Sequence, residues 1–168
     1  MRLLRDGLLD GARIAITGSV AAEVRTALGE LGASFVDPDS GAQALVYDAD
    51  DALRTGGLTA ALEEAWSAVA AVAAHTLIPA GQPGKIVLIA PRPDVADHAE
   101  AVRAGLENLA RTLSIEWARY GITTTSIAPG LATSDEELTT LVCYLLSPAG
   151  DYFSGCRFDL GSVEADRL

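Results

Sequence analysis

The sequence predicts an α/β protein of three layers, in which a doubly wound parallel sheet of about six strands lies between two layers of helix. Short β-branched runs alternate with longer segments whose apolar residues recur at helical spacing, and this alternation implies βα units with right-handed crossovers. The 168 residues suit one domain, 1–168, long enough to bury roughly 70% of the surface its unfolded form exposes. Hydrophobic residues make up 49% of the chain, and no repeat, linker or low-complexity run breaks the pattern.

Residues 12–17, ARIAIT, form a β-branched run ending at Gly18, as a buried parallel strand does when it feeds a tight turn. Val20, Val24, Ala27, Leu28 and Leu31 then recur at helical spacing, and Gly32 ends that helix. A brief strand at 34–36 runs into the turn cluster Asp37-Pro38-Asp39-Ser40-Gly41, and 44–47 is a third strand. After a loop at 48–57, an alanine-rich helix covers 58–78, and residues 81–84 turn the chain into a strand at 85–90. Residues 96–120 form a second long helix with a stripe of Val102, Leu106, Leu109, Leu113 and Trp117, capped by Gly121. A strand at 122–128 follows. The helix 134–146 opens on Ser134 with Glu137 three residues on, a capping-box pattern, and 156–160 is the last strand.

The charge excludes some functions. A net charge of −11 with a single lysine, Lys85, argues against a nucleic-acid surface, because phosphate binding needs clustered cations. The longest apolar stretch, 65–80, is interrupted by Ser67, His75 and Thr76 and is too short and alanine-rich to cross a bilayer. Arg2, Arg5 and Asp6 break up any signal-peptide pattern, so a cytoplasmic protein is expected. Cys143 and Cys156 lack the spacing of a zinc site and read as two buried thiols; no metal is expected.

The stretches GKIVLIAP, AGLENLARTLSIEWARYGITTTSIAPG and LTTLVCYLLSPAGDYFSGCRFDLGS resemble the second half of a short-chain dehydrogenase/reductase, most strongly from 84 to 162. The resemblance implies a Rossmann-like sheet with one βα unit of the family pattern deleted, since barely ten residues separate Ala33 from Ala44. It also implies where a dinucleotide would lie. Of the family's glycine-rich turn only Thr17 and Gly18 remain, followed by Ser19-Val20-Ala21-Ala22, whose Cβ atoms stand where backbone should approach phosphate. Asp37 occupies the place of a ribose-binding carboxylate, although its neighbours Pro38 and Asp39 favour a turn role. Asp48, with Asp50 and Asp51, replaces the family's polar segment beside the cofactor, and each negative charge opposes a pyrophosphate by about 1 kcal/mol at ~4 Å in water. Pro129 and Gly130 keep the loop that leads to the nicotinamide in active members.

The catalytic positions of the resemblance carry no chemistry. The family's Asn, Ser, Tyr and Lys fall on Ala73, Pro91, Ala99 and Arg103, with Pro91 in the shortened loop Pro91-Arg92-Pro93-Asp94. Alanine has no proton to give, and a planar guanidinium is a poor substitute for a compact ammonium. Asp97, His98 and Glu100 beside Arg103 read as an exposed first helical turn ahead of a rebuilt acid/base site. His75 has no partner visible in sequence.

These positions lead to the expectation of a non-catalytic protein that acts through assembly and binds no cofactor, with NAD(P) as the alternative. The resemblance places its contacts on helices 58–78 and 96–120, with Leu113, Trp117 and Tyr120 as candidate anchors, and on the C-terminal strand with Tyr144, Tyr152, Phe153 and Phe158 nearby. The partner is a second copy or an active paralogue. The alternatives are an NAD(P)-dependent oxidoreductase with a rearranged site and a small-ligand binding module using the vacated crevice.

Overall fold

Six short strands carry the fold: β1 (Arg13–Gly18), β2 (Ser34–Phe35), β3 (Ala44–Asp48), β4 (Gly84–Ile89), β5 (Ile122–Pro129) and β6 (Arg157–Leu160). In the computed structural model, which describes residues 5–161, they pair into one parallel sheet in the order β2-β1-β3-β4-β5-β6. The doubly wound order 3-2-1-4-5-6 becomes this one when its third strand is lost and a strand is added at the far edge. Residues 36–43 connect β2 to β3 without a helix, which is the deleted unit. Two sequence readings, of Arg2 at the start and Ser162 at the end, lie outside the described residues.

Side chains alternate across the pleat and so build two cores. Leu45, Tyr47, Ile86 and Leu88 face one side, under α2 (Asp50–Val72) and α4 (Ala99–Glu116), where Val69, Leu106 and Leu113 meet them. Val46, Val87 and Ile89 face the other, under α1 (Ala22–Glu30) and α5 (Asp135–Leu146), against Val24, Leu28 and Val142. All five residues of β3 are buried, as a central strand covered on both faces requires. α1 and α2 lie on opposite faces, so the winding reverses between β1 and β3.

Several boundaries differ from the sequence reading. The expected loop at 48–57 is mostly helix: α2 already starts at Asp50, helped by Asp50 and Asp51 in a first turn that favours negative charge. Gly57, at φ 74 and ψ −169, breaks it, a conformation essentially restricted to glycine, so a regular helical run resumes near the expected residue 58. Near its far end the helix loosens into a π-turn, Ala73–Leu77, where Thr76 Oγ1 donates to Val72 O at 2.7 Å, before α3 (Ile78–Ala80). The second long helix begins at Ala99, not 96, because His98 takes a left-handed φ of 67 at its N-cap, and its last turn, Ala118–Tyr120, tightens to a 3-10 helix. α2 and α4 approach closely at Gly105, where an added Cβ would lie 2.6 Å from Leu62 Cδ2. The Ser134–Glu137 capping box forms as the sequence predicts: Glu137 N donates to Ser134 Oγ at 3.2 Å, and Ser134 N to Glu137 Oε2 at 2.8 Å. Cys143 is buried, but Cys156 is half-exposed just before β6.

Candidate functional site

In open α/β sheets a ligand lies beyond the carboxyl ends of the strands where the winding reverses. Here that point is Gly18 at the end of β1, paired in register with Asp48 at the end of β3. Gly18 sits at φ 76, and a Cβ there would fall 2.0 Å from Asp48 O. The neighbouring strand demands this glycine, whatever a phosphate needs. Thr17 Oγ1 beside it is buried without a hydrogen-bond partner.

The acidic segment after β3 folds back onto its own backbone. Asp48 is 7% exposed; its Oδ1 accepts from Ser19 Oγ at 3.2 Å and from Asp50 N at 2.9 Å, while Ser19 Oγ accepts from Asp51 N at 3.0 Å. Burial pushes the Asp48 carboxyl up to about 6, against the lowering effect of the Asp50 N–H. Burial also raises Asp50, whose Oδ1 accepts from Arg92 N at 3.1 Å. Asp51 points outward to Arg54. The picture of several free carboxylates at a crevice mouth therefore gives way to two part-buried acids, each tied to backbone N–H groups.

Arg92 closes the opposite side. Its guanidinium donates to Gly130 O at 3.2 Å, to Thr133 O at 2.8 Å and to Asp135 Oδ1 at 3.1 Å. Gly130 N donates in turn to Thr133 Oγ1 at 2.8 Å. Sequence reasoning passed over Arg92 as one residue of a shortened loop, because the partners of its guanidinium lie 38 to 43 residues away in the chain. The cavity left between Ser19, Asp48, Asp50, Arg92 and Asp135 holds about 90 Å³.

The four residues that the resemblance aligns with the family's catalytic positions make structural contacts. Arg103, 6% exposed, donates through Nη1 to Pro91 O at 2.8 Å and to Pro129 O at 2.7 Å, so it staples the loop after β4 to the end of β5. Its Nε lies 3.2 Å from Glu100 Oε1, within ion-pair range but misaligned for a hydrogen bond. Ala99 is buried at the start of α4 within the core under α2 and α4, and Ala73 is buried in the π-turn. His75 is exposed on that turn. Among the described residues no group of three or more His, Cys, Asp or Glu is placed to hold a metal ion, and no helix is long and apolar enough to cross a membrane.

No protein-family model matches the chain. Solved structures match over nearly its whole length. Citronellol catabolism dehydrogenase of Pseudomonas aeruginosa is 20% identical, with 94% of this chain and 96% of that one covered, at a TM-score of 0.74. A short-chain type dehydrogenase/reductase of Mycobacterium marinum is 18% identical over 90% and 94%, at 0.73. A protein of Agrobacterium tumefaciens, described provisionally as a 2-deoxy-d-gluconate 3-dehydrogenase and holding NADP, is 18% identical over 93% and 97%, also at 0.73. The fold of this chain is that of the short-chain dehydrogenase/reductases; its structural neighbours are oxidoreductases.

The NADP-bound neighbour corrects the expectation that no cofactor goes with this frame: a chain of the same fold carries one. That expectation rested on the missing glycines and on the acidic charge after β3, both of which bear on the pyrophosphate, whereas the strand-end crevice is a property of the whole sheet. The residues of this chain would meet a dinucleotide unevenly. Asp37 borders a hollow of about 430 Å³ with Arg13, Arg25 and Phe35, and the Arg25 guanidinium lies 4.8 Å from the Phe35 ring centre. The 90 Å³ cavity at the carboxyl ends of β1 and β3 does not fit a dinucleotide, a group whose pockets run to hundreds of Å³. A dinucleotide lying there would have to displace Arg92 from Gly130 and Thr133.

Proposed function

We propose that this chain works in the cytoplasm as an assembly subunit with the short-chain dehydrogenase/reductase fold, pairing with a second copy or with an active chain of the same fold, and does not itself transfer hydride. The observation that carries this reading is the state of the former catalytic helix. Ala99 offers no proton, and the guanidinium of Arg103 is committed to Pro91 O and Pro129 O. The two long helices also leave large apolar side chains outside: Trp66 on α2 is 51% exposed and Ile115 on α4 is 79% exposed. Leu113 is only 1% exposed, and Trp117 and Tyr120 pack against the parent core, so Trp66 and Ile115 replace them as candidate anchors. At the C-terminal face the Phe153 ring packs tilted against Tyr144 and edge-on against Phe158, with ring centres 6.1 and 5.4 Å apart, while Tyr152 is 89% exposed. Light scattering on the purified chain at micromolar concentration tests the homomeric form, and co-purification with a short-chain dehydrogenase/reductase tests the heteromeric one. A chain that is monomeric and brings down no such partner overturns the reading.

A second reading, an NAD(P)-dependent oxidoreductase with a rearranged site, is favoured by the NADP held in the Agrobacterium neighbour and by the hollow beside Asp37. Calorimetric titration with NADPH, followed by carbonyl-reduction assays, separates the two. Saturable binding together with turnover selects the oxidoreductase; saturable binding without turnover leaves the assembly reading standing.

A further inference from the structure

A cavity of about 540 Å³ lies at the end of the sheet away from the crevice, under the amino ends of β1, β3, β4 and β5. That size falls within the range of small-molecule pockets. Ile14, Ile122 and Leu146 supply apolar wall, and all three are buried. The charged residues of the wall are Arg13, Lys85 and Asp151. In a chain of net charge −11 with one lysine, this cavity gathers that lysine and an arginine against one carboxylate.

Lys85 is held in place by the fold. Its side chain is 17% exposed, and Nζ donates to Leu145 O at 3.2 Å and Ser147 O at 2.5 Å, the carbonyls that end α5. Its third partner, Asp151 Oδ1 at 2.5 Å, sits on a side chain 61% exposed to solvent. Arg13 likewise leans on a backbone carbonyl, Ser40 O. Backbone carbonyls anchor both cations, and the one carboxylate among the charged wall residues is on a solvent-facing side chain that can swing away. With Asp151 displaced, the cavity keeps the Lys85 ammonium against an apolar wall, with Arg13 also among its lining residues.

We propose that this basal cavity is a binding site for an organic monocarboxylate with an apolar body, whose carboxylate takes the place of Asp151 on Lys85 Nζ. The proposal is independent of the crevice and of the assembly reading, because the cavity lies at the opposite strand ends. Calorimetric titration of the full chain with sodium octanoate tests it, with octanamide as the neutral counterpart. Saturable 1:1 binding of octanoate is expected, at least tenfold tighter than octanamide. Asp151→Asn, a change on the surface, is expected to tighten octanoate several-fold by removing the competing carboxylate. Ala118→Trp, which projects an indole into the recess from its exposed rim, is expected to abolish binding while the far-UV circular dichroism is unchanged. Absence of saturation at millimolar octanoate, equal binding of the amide, weaker binding by the Asp151 variant, or full binding by a folded Ala118 variant would each overturn the proposal.

Discussion

Asp48 shows how one side chain can lose its sequence-level meaning. In the linear chain it is the first of three acids in four residues; in the fold it is 7% exposed and hydrogen-bonded to Ser19 and Asp50 N. Desolvation raises its carboxyl to about 6 from the ordinary value of 3.8. Because the folded value exceeds the unfolded one, protonation favours the folded state. This contribution to stability is fully present below about pH 4 and is lost as the pH rises through about 6. A rise of that size corresponds to roughly 3 kcal/mol as an upper bound. Asp48→Asn keeps an oxygen for Ser19 and Asp50 N and removes the charge. The variant is expected to melt higher than the parent at pH 8 and close to it at pH 4, so that melting curves at the two values isolate the group. A variant that is less stable than the parent at pH 8 would show that the carboxylate is favoured there.

Among the elements, the turn from β1 into α1 bears most on function, and its glycine illustrates two competing demands. A phosphate-binding turn needs glycine so that backbone can approach a ligand. Gly18 is needed because β3 runs so close that a Cβ would meet Asp48 O at 2.0 Å, at a φ of 76 that other residues avoid. Backbone on both sides leaves no flexible side chain to yield. Gly18→Ala is expected to cost at least about 2 kcal/mol in chemical denaturation, from the left-handed penalty and the strained β1–β3 ladder. A near-neutral result would mean that the ladder opens there at little cost. Glycine at this position is therefore a poor marker of a surviving cofactor site. Next to it α1 begins on Ala21 with no side-chain cap, so no polar side chain at the helix start takes over from the lost glycines.

For the whole molecule, one sheet offers two edges and two outer helical faces, and the proposals divide among them. The carboxyl edge is pinched by Arg92 and Arg103, which tie the loops after β4 and β5 together. The amino edge keeps about 540 Å³ open beneath Lys85. The outer surfaces of α2 and α4 expose Trp66 and Ile115. Trp66→Asp with Ile115→Asp replaces exposed groups only and is expected to leave the fold and melting temperature nearly unchanged. If that face holds the assembly together, sedimentation will show the double variant shifted to monomer; an unchanged assembly would move the contact to the C-terminal face around Tyr152.

The alternation of β-branched runs with helical stripes determined the strands and the three layers, and the Ser134–Glu137 spacing the capped start of α5, because those features follow from local pattern and from which residues must be buried. The deleted βα unit came from the family resemblance. The resemblance set Ala99 and Ala73 at positions where the family carries catalytic groups, and alanine's lack of a functional atom is legible without coordinates. Tertiary structure decided what took its place. Arg103 finding Pro91 O and Pro129 O, Arg92 bridging from one loop to Gly130 and Asp135, and Lys85 meeting Asp151 all join residues 12 to 66 positions apart. Such pairings depend on distances across the sheet and on the desolvation of charge, quantities that exist only once the strands have been brought side by side.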